Sequence, residues 1–198
     1  MGTAQNIIRL YDINTSQAFT ASYPQDFHHS SINQVRYSLD GSMYVSASSD
    51  GHIKIWDTVT NRCEKFIAEA HSGTEVTSVK FSKNGKYLLS CGNDSTIRLW
   101  DIGSGQQITT YMEHTHKLER FNVEFSHNEE YIIGLDESGF AAIVWNTRSG
   151  ELVQRLAGHN NLVRWVAASP MEPALMTCSD DHRARFWFMD GSSTAAVV

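Results

Sequence analysis

The sequence is short of the features that mark secreted, membrane and nucleic-acid-binding proteins. Its 198 residues include three cysteines, Cys63, Cys91 and Cys178. The odd number and irregular spacing exclude a disulfide framework and suit a reducing compartment. No apolar run approaches the roughly 20 residues that span a bilayer as a helix; the stretch at Ala141–Trp145 is far shorter. The N-terminus, MGTAQNIIRLYD, carries no basic segment followed by an apolar one, so no secretory signal is expected. The sequons at Asn14 and Asn93 then read as chance matches in turns. A formal net charge of −6 excludes bulk attraction to nucleic acid or an anionic membrane and leaves only a local patch or a partner to supply it.

Catalytic motifs are missing as well. There is no G-x-S-x-G elbow, no H-E-x-x-H helix, no Gly-rich phosphate loop and no set of clustered carboxylates at metal-ligand spacing. Nine histidines invite a metal reading, with His28 beside His29 and His114 two residues from His116. No Cys/His set has zinc-site spacing, however. The sequence therefore argues against an enzyme, and no cofactor or metal is expected. With 41% hydrophobic and 19% charged residues, the chain has an ordinary balance for one domain with a real core.

What the chain does have is a repeat. An aromatic-acid pair recurs as Tyr11-Asp12, Trp56-Asp57 and Trp100-Asp101, then as Trp145-Asn146 and Trp187-Phe188, at spacings of 45, 44, 45 and 42 residues. Each period holds the same grammar. An alternating strand such as Val76–Ser82 leads to a turn dipeptide, Asp40-Gly41 or Asn84-Gly85. A second strand follows (Tyr44–Ala47, Tyr87–Ser90), then a turn (Ser49-Asp50-Gly51, Asn93-Asp94-Ser95) and a third strand ending in the aromatic. Finally a turn such as Gly103-Ser104-Gly105 opens a short fourth strand. Four short strands per period and no helical periodicity predict an all-β propeller.

The pattern resembles the WD-repeat (WD40) family, and the resemblance implies a buried network in each unit: a His before the first strand, a Ser or Thr on the second, an Asp in the next turn, and the Trp. One unit supplies His71, Ser90, Asp94 and Trp100. The last supplies His159, Thr177, Asp181 and Trp187. The first full unit supplies Ser46, Asp50 and Trp56, with His28 as its histidine. Such a network gives a buried carboxylate and a buried indole N–H their partners. The unit ending at Trp145 keeps His116 but has a longer turn, Asp136–Gly139, and Asn146 for the Asp. A distorted blade without a complete network is expected there.

Full blades are expected at about 32–67, 76–111 and 120–156, partial ones at 6–21 and 163–188, and a disordered tail over 191–198. The WD-repeat region then covers residues 1–190. Because the ends do not make one closed ring, the fold reads as an incomplete WD40 β-propeller, with open strand edges.

Local stretches resemble one branch of the family more closely. Gly158–Arg164 followed by Met176–Trp187 is similar to the last repeat in the family of WD-repeat subunits of cleavage stimulation factor. The similarity continues through Leu10–Thr15, Asn61-Arg62-Cys63 and Phe81–Asn84, so it covers nearly the whole chain as the C-terminal part of such a subunit. It implies a nuclear, non-enzymatic scaffold in messenger-RNA 3′-end cleavage and polyadenylation, with other subunits of that factor as protein partners, indirect or weak RNA contact, and no membrane. The alternative is a WD-repeat substrate adaptor of a ubiquitin ligase or chromatin complex, which needs a charged pocket for one short peptide.

The family's partner-binding positions flank the start of the first strand or sit just before the turn Asp. Carried over, they are Ser31, Asn33, Glu75, Thr77, Glu119, Phe121, Leu162 and Arg164, with Ser49, Asn93 and Asp180 before the Asp. Phe121 and Arg164 stand out, since aromatic and Arg residues dominate interface energetics. Arg9, Lys54, Arg98 and Arg185, two residues before each aromatic, could form a stripe for RNA phosphates. Their locked position reads first as blade pattern, with the charged head reaching solvent over an apolar stem. Arg183 and His182 near Arg164 are the better basic patch. Cys91 and Cys178, both nine residues before a Trp, are expected to be small buried core residues.

Overall fold

A computed structural model describes residues 6–112, 122–138, 140–189 and 195–197. Apart from a 3-10 turn at Pro24–Asp26, every regular element among them is a strand. None of the described segments is a helix long and apolar enough to cross a membrane. β1 (Arg9–Tyr11) and β2 (Ala18–Thr20) form a two-stranded antiparallel sheet. Four sheets of four strands follow, each ordered along the chain. The first holds β3 (Ile32–Tyr37), β4 (Met43–Ser48), β5 (Ile53–Asp57) and β6 (Cys63–Ile67). The second holds β7 (Val76–Phe81), β8 (Tyr87–Gly92), β9 (Thr96–Asp101) and β10 (Gln107–Tyr111). The third holds β11 (Glu124–Phe125), β12 (Tyr131–Asp136), β13 (Ala141–Asn146) and β14 (Leu152–Leu156). The fourth holds β15 (Val163–Ala168), β16 (Ala174–Ser179), β17 (Ala184–Met189) and β18 (Ala195–Val197).

This is the expected all-β, incomplete WD40 propeller, with one departure. The tail over 191–198, expected to be disordered, contributes β18, which pairs with β17 from Trp187↔Val197 to Met189↔Ala195. The gain comes from the edge: without β18, β17 would leave a row of N–H and C=O groups unpaired. In the third sheet, β11 is described over only two residues, so the strand expected from residue 120 lies partly outside the described residues.

Local chemistry explains why the sequence turns where it does. Between the first and second strands of a sheet, a buried Ser and an Asp or Asn two residues later bind each other: Ser38 Oγ to Asp40 at 2.6 Å, Ser82 Oγ to Asn84 at 2.8 Å, Ser126 Oγ to Asn128 at 2.9 Å. The next residue takes positive φ, as Gly41 and Gly85 do readily and Glu129 does at +60°. The acid after each Trp caps the following turn. Asp57 accepts the Thr60 N–H, Asp101 the Ser104 N–H, and Asn146 the N–H groups of Arg148 and Ser149 at 3.0 Å each. Asn146 therefore does the work of the Asp it replaces, and the third unit is not distorted at that point.

The chain divides into two compact units, residues 1–94 with 100–106 and residues 95–99 with 107–198. In the first, Ile8 and Leu10 pack with Tyr44 and Trp56, and Val45, Ala47, Ile53 and Ile55 pack with Val79, Phe81, Leu88 and Trp100. In the second, Ile133, Val144 and Leu156 line one cavity with Leu175 and Trp187. In both, the face of a sheet that carries its Trp covers the opposite face of the sheet before it.

Candidate partner-binding surface

The three expected networks are present, and each is a linear chain of hydrogen bonds. In the first sheet, Trp56 Nε1 donates to Ser46 Oγ at 2.9 Å, Ser46 meets His28 Nε2 at 2.7 Å, and His28 Nδ1 meets Asp50 at 2.8 Å. The second sheet repeats this with Trp100, Ser90, His71 and Asp94 at 2.8, 2.8 and 2.9 Å. The fourth uses Trp187, Thr177, His159 and Asp181 at 2.9, 2.8 and 2.8 Å. The carboxylate accepts the proton on Nδ1, which leaves Nε2 as the acceptor for the hydroxyl, and the hydroxyl oxygen accepts from the indole. The order of groups is that of a Ser-His-Asp triad, but Ser46, Ser90 and Thr177 are wholly buried. Their oxygens are engaged on both sides, so no substrate atom reaches them. These groups hold the turn, not a reaction.

Electrostatics follow from the burial. Burial pushes the His28 pKa below its ordinary 6.5, against the attraction of Asp50. For Asp50, burial pushes upward, yet hydrogen bonds from His28 and the N–H groups of His29 and His52 prevail and hold its carboxyl far below the ordinary range. Asp181 has the same opposition, burial against His159 and the N–H groups of Asn160 and Arg183, and ends at about 2.

Both kinds of shift act in one direction. A neutral buried His contributes fully above 6.5, and that contribution falls as the unfolded chain takes up a proton below it. A depressed Asp contributes above 3.8, and its contribution is lost as pH drops through the folded value. Stability is therefore expected to fall in two stages on acidification. In Asp181→Asn the lower stage should shrink, measured as the urea midpoint between neutral pH and about pH 3. An equal acid loss in wild type and variant would contradict this.

The third unit departs from the pattern for a reason visible in the register. The residue opposite the position two before the Trp is Ser46, Thr177 and, in this unit, Gly134. With no hydroxyl there, Trp145 Nε1 donates to the Met112 carbonyl at 3.0 Å. A Cβ on Gly134 would lie 2.6 Å from Ile97 Cδ1 and 3.0 Å from Trp145, so the site admits no side chain. Asp136, buried, is bound by Arg155 at 2.7 Å, a pair that the sequence pattern did not point to.

In the first, second and fourth sheets the expected partner-binding residues lie at one end, where the first strand begins and the second ends. A β-bulge recurs in the first strand of three sheets, between Ile32/Gln34, Val76/Ser78 and Val163/Trp165. The bulged residues are Asn33, Thr77 and Arg164. An extra residue bends the strand and re-aims its side chain, which is how Asn33 and Arg164 reach the rim.

In the first unit these positions form one connected cluster. Asn33 Nδ2 donates to Glu75 at 2.8 Å, Ser49 Oγ to Glu75 at 2.5 Å, Asn93 Nδ2 to Glu75 at 3.0 Å, and Ser31 meets Ser49 at 3.0 Å. Glu75 is the hub, a half-buried carboxylate held by three neutral donors. Thr77 turns inward and donates to the Cys91 carbonyl. In the second unit Arg164 pairs with Asp180 through Nε at 2.8 Å and a second nitrogen at 2.5 Å, and the Asp180 N–H binds the Leu162 carbonyl. Phe121, Glu119 and His116 lie outside the described residues.

The basic readings change. Lys54 is buried and donates to the Asp26 and Phe27 carbonyls at 3.0 and 2.7 Å, so its head does not reach solvent as expected. Arg98 binds Thr96 and Gln107. Arg164 is charge-paired by Asp180, which leaves exposed Arg183 and His182 as a weaker positive patch than their sequence suggested. Cys91 is buried, but Cys178 is exposed, contrary to expectation, because it sits on the outer face of the fourth sheet. Among the described residues no His, Cys, Asp and Glu group has the arrangement of a metal site.

Missed from the sequence are two amide latches between successive sheets. Gln34 accepts the Val79 N–H at 2.8 Å, and buried Asn122 brackets Val166, donating to its carbonyl at 2.6 Å and accepting its N–H at 3.0 Å. An amide in an alternating strand carries no signal of this role.

Repeated four-stranded sheets with a buried Trp–Ser/Thr–His–Asp chain in three of them define a WD-repeat protein. Residues 21–57, 62–101 and 150–187 match the family described as WD domain, G-beta repeat, and the chain belongs to it. The unmatched interval includes the unit in which Gly134 replaces the hydroxyl. Over 94% of its length the chain is 50% identical to Cleavage stimulation factor subunit 50 of Arabidopsis thaliana, covering 44% of that protein. It is also 31% identical, over 82% of its length, to the Periodic tryptophan protein 2 homolog of Dictyostelium discoideum, covering 18% of it. The chain thus spans less than half the length of either relative.

Proposed function

We propose that this chain is a non-enzymatic scaffold in the nuclear machinery of pre-mRNA 3′-end cleavage and polyadenylation. It holds other subunits of cleavage stimulation factor and touches RNA only indirectly or weakly. The 50% identity to subunit 50 of that factor along nearly the whole chain carries the reading. The site chemistry agrees with it: the hydroxyls that resemble nucleophiles are sealed in the sheets, while the exposed rim offers hydrogen-bonding and charged groups suited to a protein partner. Asn33, Ser49, Glu75 and Asn93 form one part of that surface, and Leu162, Arg164, Asp180 and Arg183 another.

The test is binding of surface variants to the remaining subunits of the factor. Glu75→Gln and Arg164→Ala are each expected to weaken binding about tenfold, the effect of roughly 1.4 kcal/mol, without moving the urea midpoint by more than a surface change does. Lys83→Ala, on an exposed turn, serves as the neutral control. Unchanged affinity in both variants would remove this rim from the interface.

A further inference from the structure

The first strand of a sheet ends in an aromatic residue three times and in a methyl group once. Register aligns Tyr37 with Tyr44 and Trp56, Phe125 with Ile132 and Trp145, and Ala168 with Leu175 and Trp187. In the second sheet the same place is held by Phe81, opposite Leu88. Phe81 and Phe125 are sealed, at 6% and 7% exposure. Phe81 packs in one cluster with Val45, Ile55 and Trp100. Their counterparts around Ala168 are Ile133, Val144 and Trp187.

Where the ring is missing there is a space. Ile133, Val144, Leu156, Ala168, Leu175 and Trp187 line a cavity of about 40 Å³ between the third and fourth sheets. One water needs about 10–15 Å³, and a space walled by apolar side chains gives water few partners. Both walls belong to the same compact unit. The mouth departs from the repeat at the same place. The turn after the first strand reads Ser38-Leu39-Asp40-Gly41-Ser42 in the first sheet and Ser82-Lys83-Asn84-Gly85-Lys86 in the second, but Ser169-Pro170-Met171-Glu172-Pro173 in the fourth. Ser169 Oγ there accepts the N–H groups of Met171 and Glu172, at 3.3 and 3.1 Å, and two prolines stiffen the loop. Pro173 and Val153, both exposed, edge the cavity, and half-buried Gln154 sets an amide donor and acceptor beside it.

We propose that this cavity is a docking pocket for a phenylalanine side chain carried on a peptide segment of a protein partner. Its walls are the counterparts of those that hold Phe81 within the chain, so an incoming ring restores the apolar burial that Ala168 gives up. The Gln154 amide meets the backbone of the residue that carries the ring. Side-chain amides already do this in the fold, Gln34 for Val79 and Asn122 for Val166. The pocket lies where the first strands end, away from the rim of Asn33 and Arg164 where they begin, so it is a second surface whichever complex the chain serves.

The test titrates the full, methyl-labelled chain with N-acetylphenylalaninamide and follows it by NMR. Saturable shifts are expected for the methyls of Leu156, Ala168 and Leu175. Ala168→Phe, which restores the ring of the second and third sheets, should weaken binding at least about tenfold and raise the urea midpoint, because it fills a void. Ala168→Val, a smaller fill that puts less demand on the fold, should weaken binding to an intermediate extent. Gln154→Ala should weaken the amide probe about fivefold and leave toluene binding unchanged. Absence of saturable shifts in the wild type would overturn the proposal, as would wild-type affinity in both Ala168 variants. An equal response to N-acetylalaninamide would also overturn it, since the ring would then count for nothing. So would binding of toluene without the amide probe, which would mark a cavity for small apolar molecules instead.

Discussion

Replacing Gly92 with alanine is expected to cost about 4 kcal/mol, a large share of the roughly 5–15 kcal/mol that holds a domain together. Gly92 ends β8, and a Cβ there would sit 2.3 Å from Cγ, 2.5 Å from Nδ1 and 2.6 Å from Cβ of His71. His71 has no room to yield. It is completely buried, with Nε2 on Ser90 and Nδ1 on Asp94. Overpacking alone costs typically 1–3 kcal/mol, and displacing the imidazole strands Ser90 and Asp94 at about 1–3 kcal/mol for each lost partner. Gly41→Ala is the comparison. Unlike Gly92, it sits at positive φ, +72°, and nothing lies within 4 Å of its Cβ, so only backbone strain of roughly 1 kcal/mol is expected. Urea unfolding of both variants checks this. A Gly92→Ala loss no larger than that of Gly41→Ala would show that the network does not lock the turn.

The second large effect lies in the first sheet. Ser46 joins the Trp56 indole to His28 by hydrogen bonds, accepting one and donating the other. Ser46→Ala leaves an indole N–H and an imidazole nitrogen without partners in a site closed to water, at about 3 kcal/mol in total. Ser46→Thr should cost less than about 1 kcal/mol, because Thr177 makes the same pair of bonds in the fourth sheet at 2.9 and 2.8 Å. Thermal and urea unfolding of the pair separates a lost hydrogen bond from a lost volume. Equal losses in Ala and Thr would contradict the account, since only the hydroxyl distinguishes it from simple packing.

How much of this was legible beforehand differs by element. The strand order and the three networks were readable because the repeat fixes both spacing and residue type: His, Ser or Thr, Asp and Trp recur at nearly constant offsets, and each has one physical job. The third unit was half legible. Its longer turn was visible, but the loss of the network came from Gly134, whose alignment with Ser46 appears only when β12 and β13 are paired. Asn146 looked like a defect and proves to be an adequate cap. Burial was the least legible. Lys54 reads as a surface cation and is sealed by two carbonyls, whereas Cys178 reads as core and is exposed, since exposure depends on which sheet covers which face. The hub role of Glu75 was also hidden, because its three donors arrive from β3 and from the turns before Asp50 and Asp94.

The most direct test of the central claim is co-precipitation of this chain with the remaining subunits of cleavage stimulation factor. Wild type, Glu75→Gln and Arg164→Ala should be compared with a Gly92→Ala control whose fold is compromised. The account predicts capture by wild type, reduced capture by the two rim variants at unchanged stability, and little by the control. Failure of folded wild-type chain to be captured would contradict the scaffold reading.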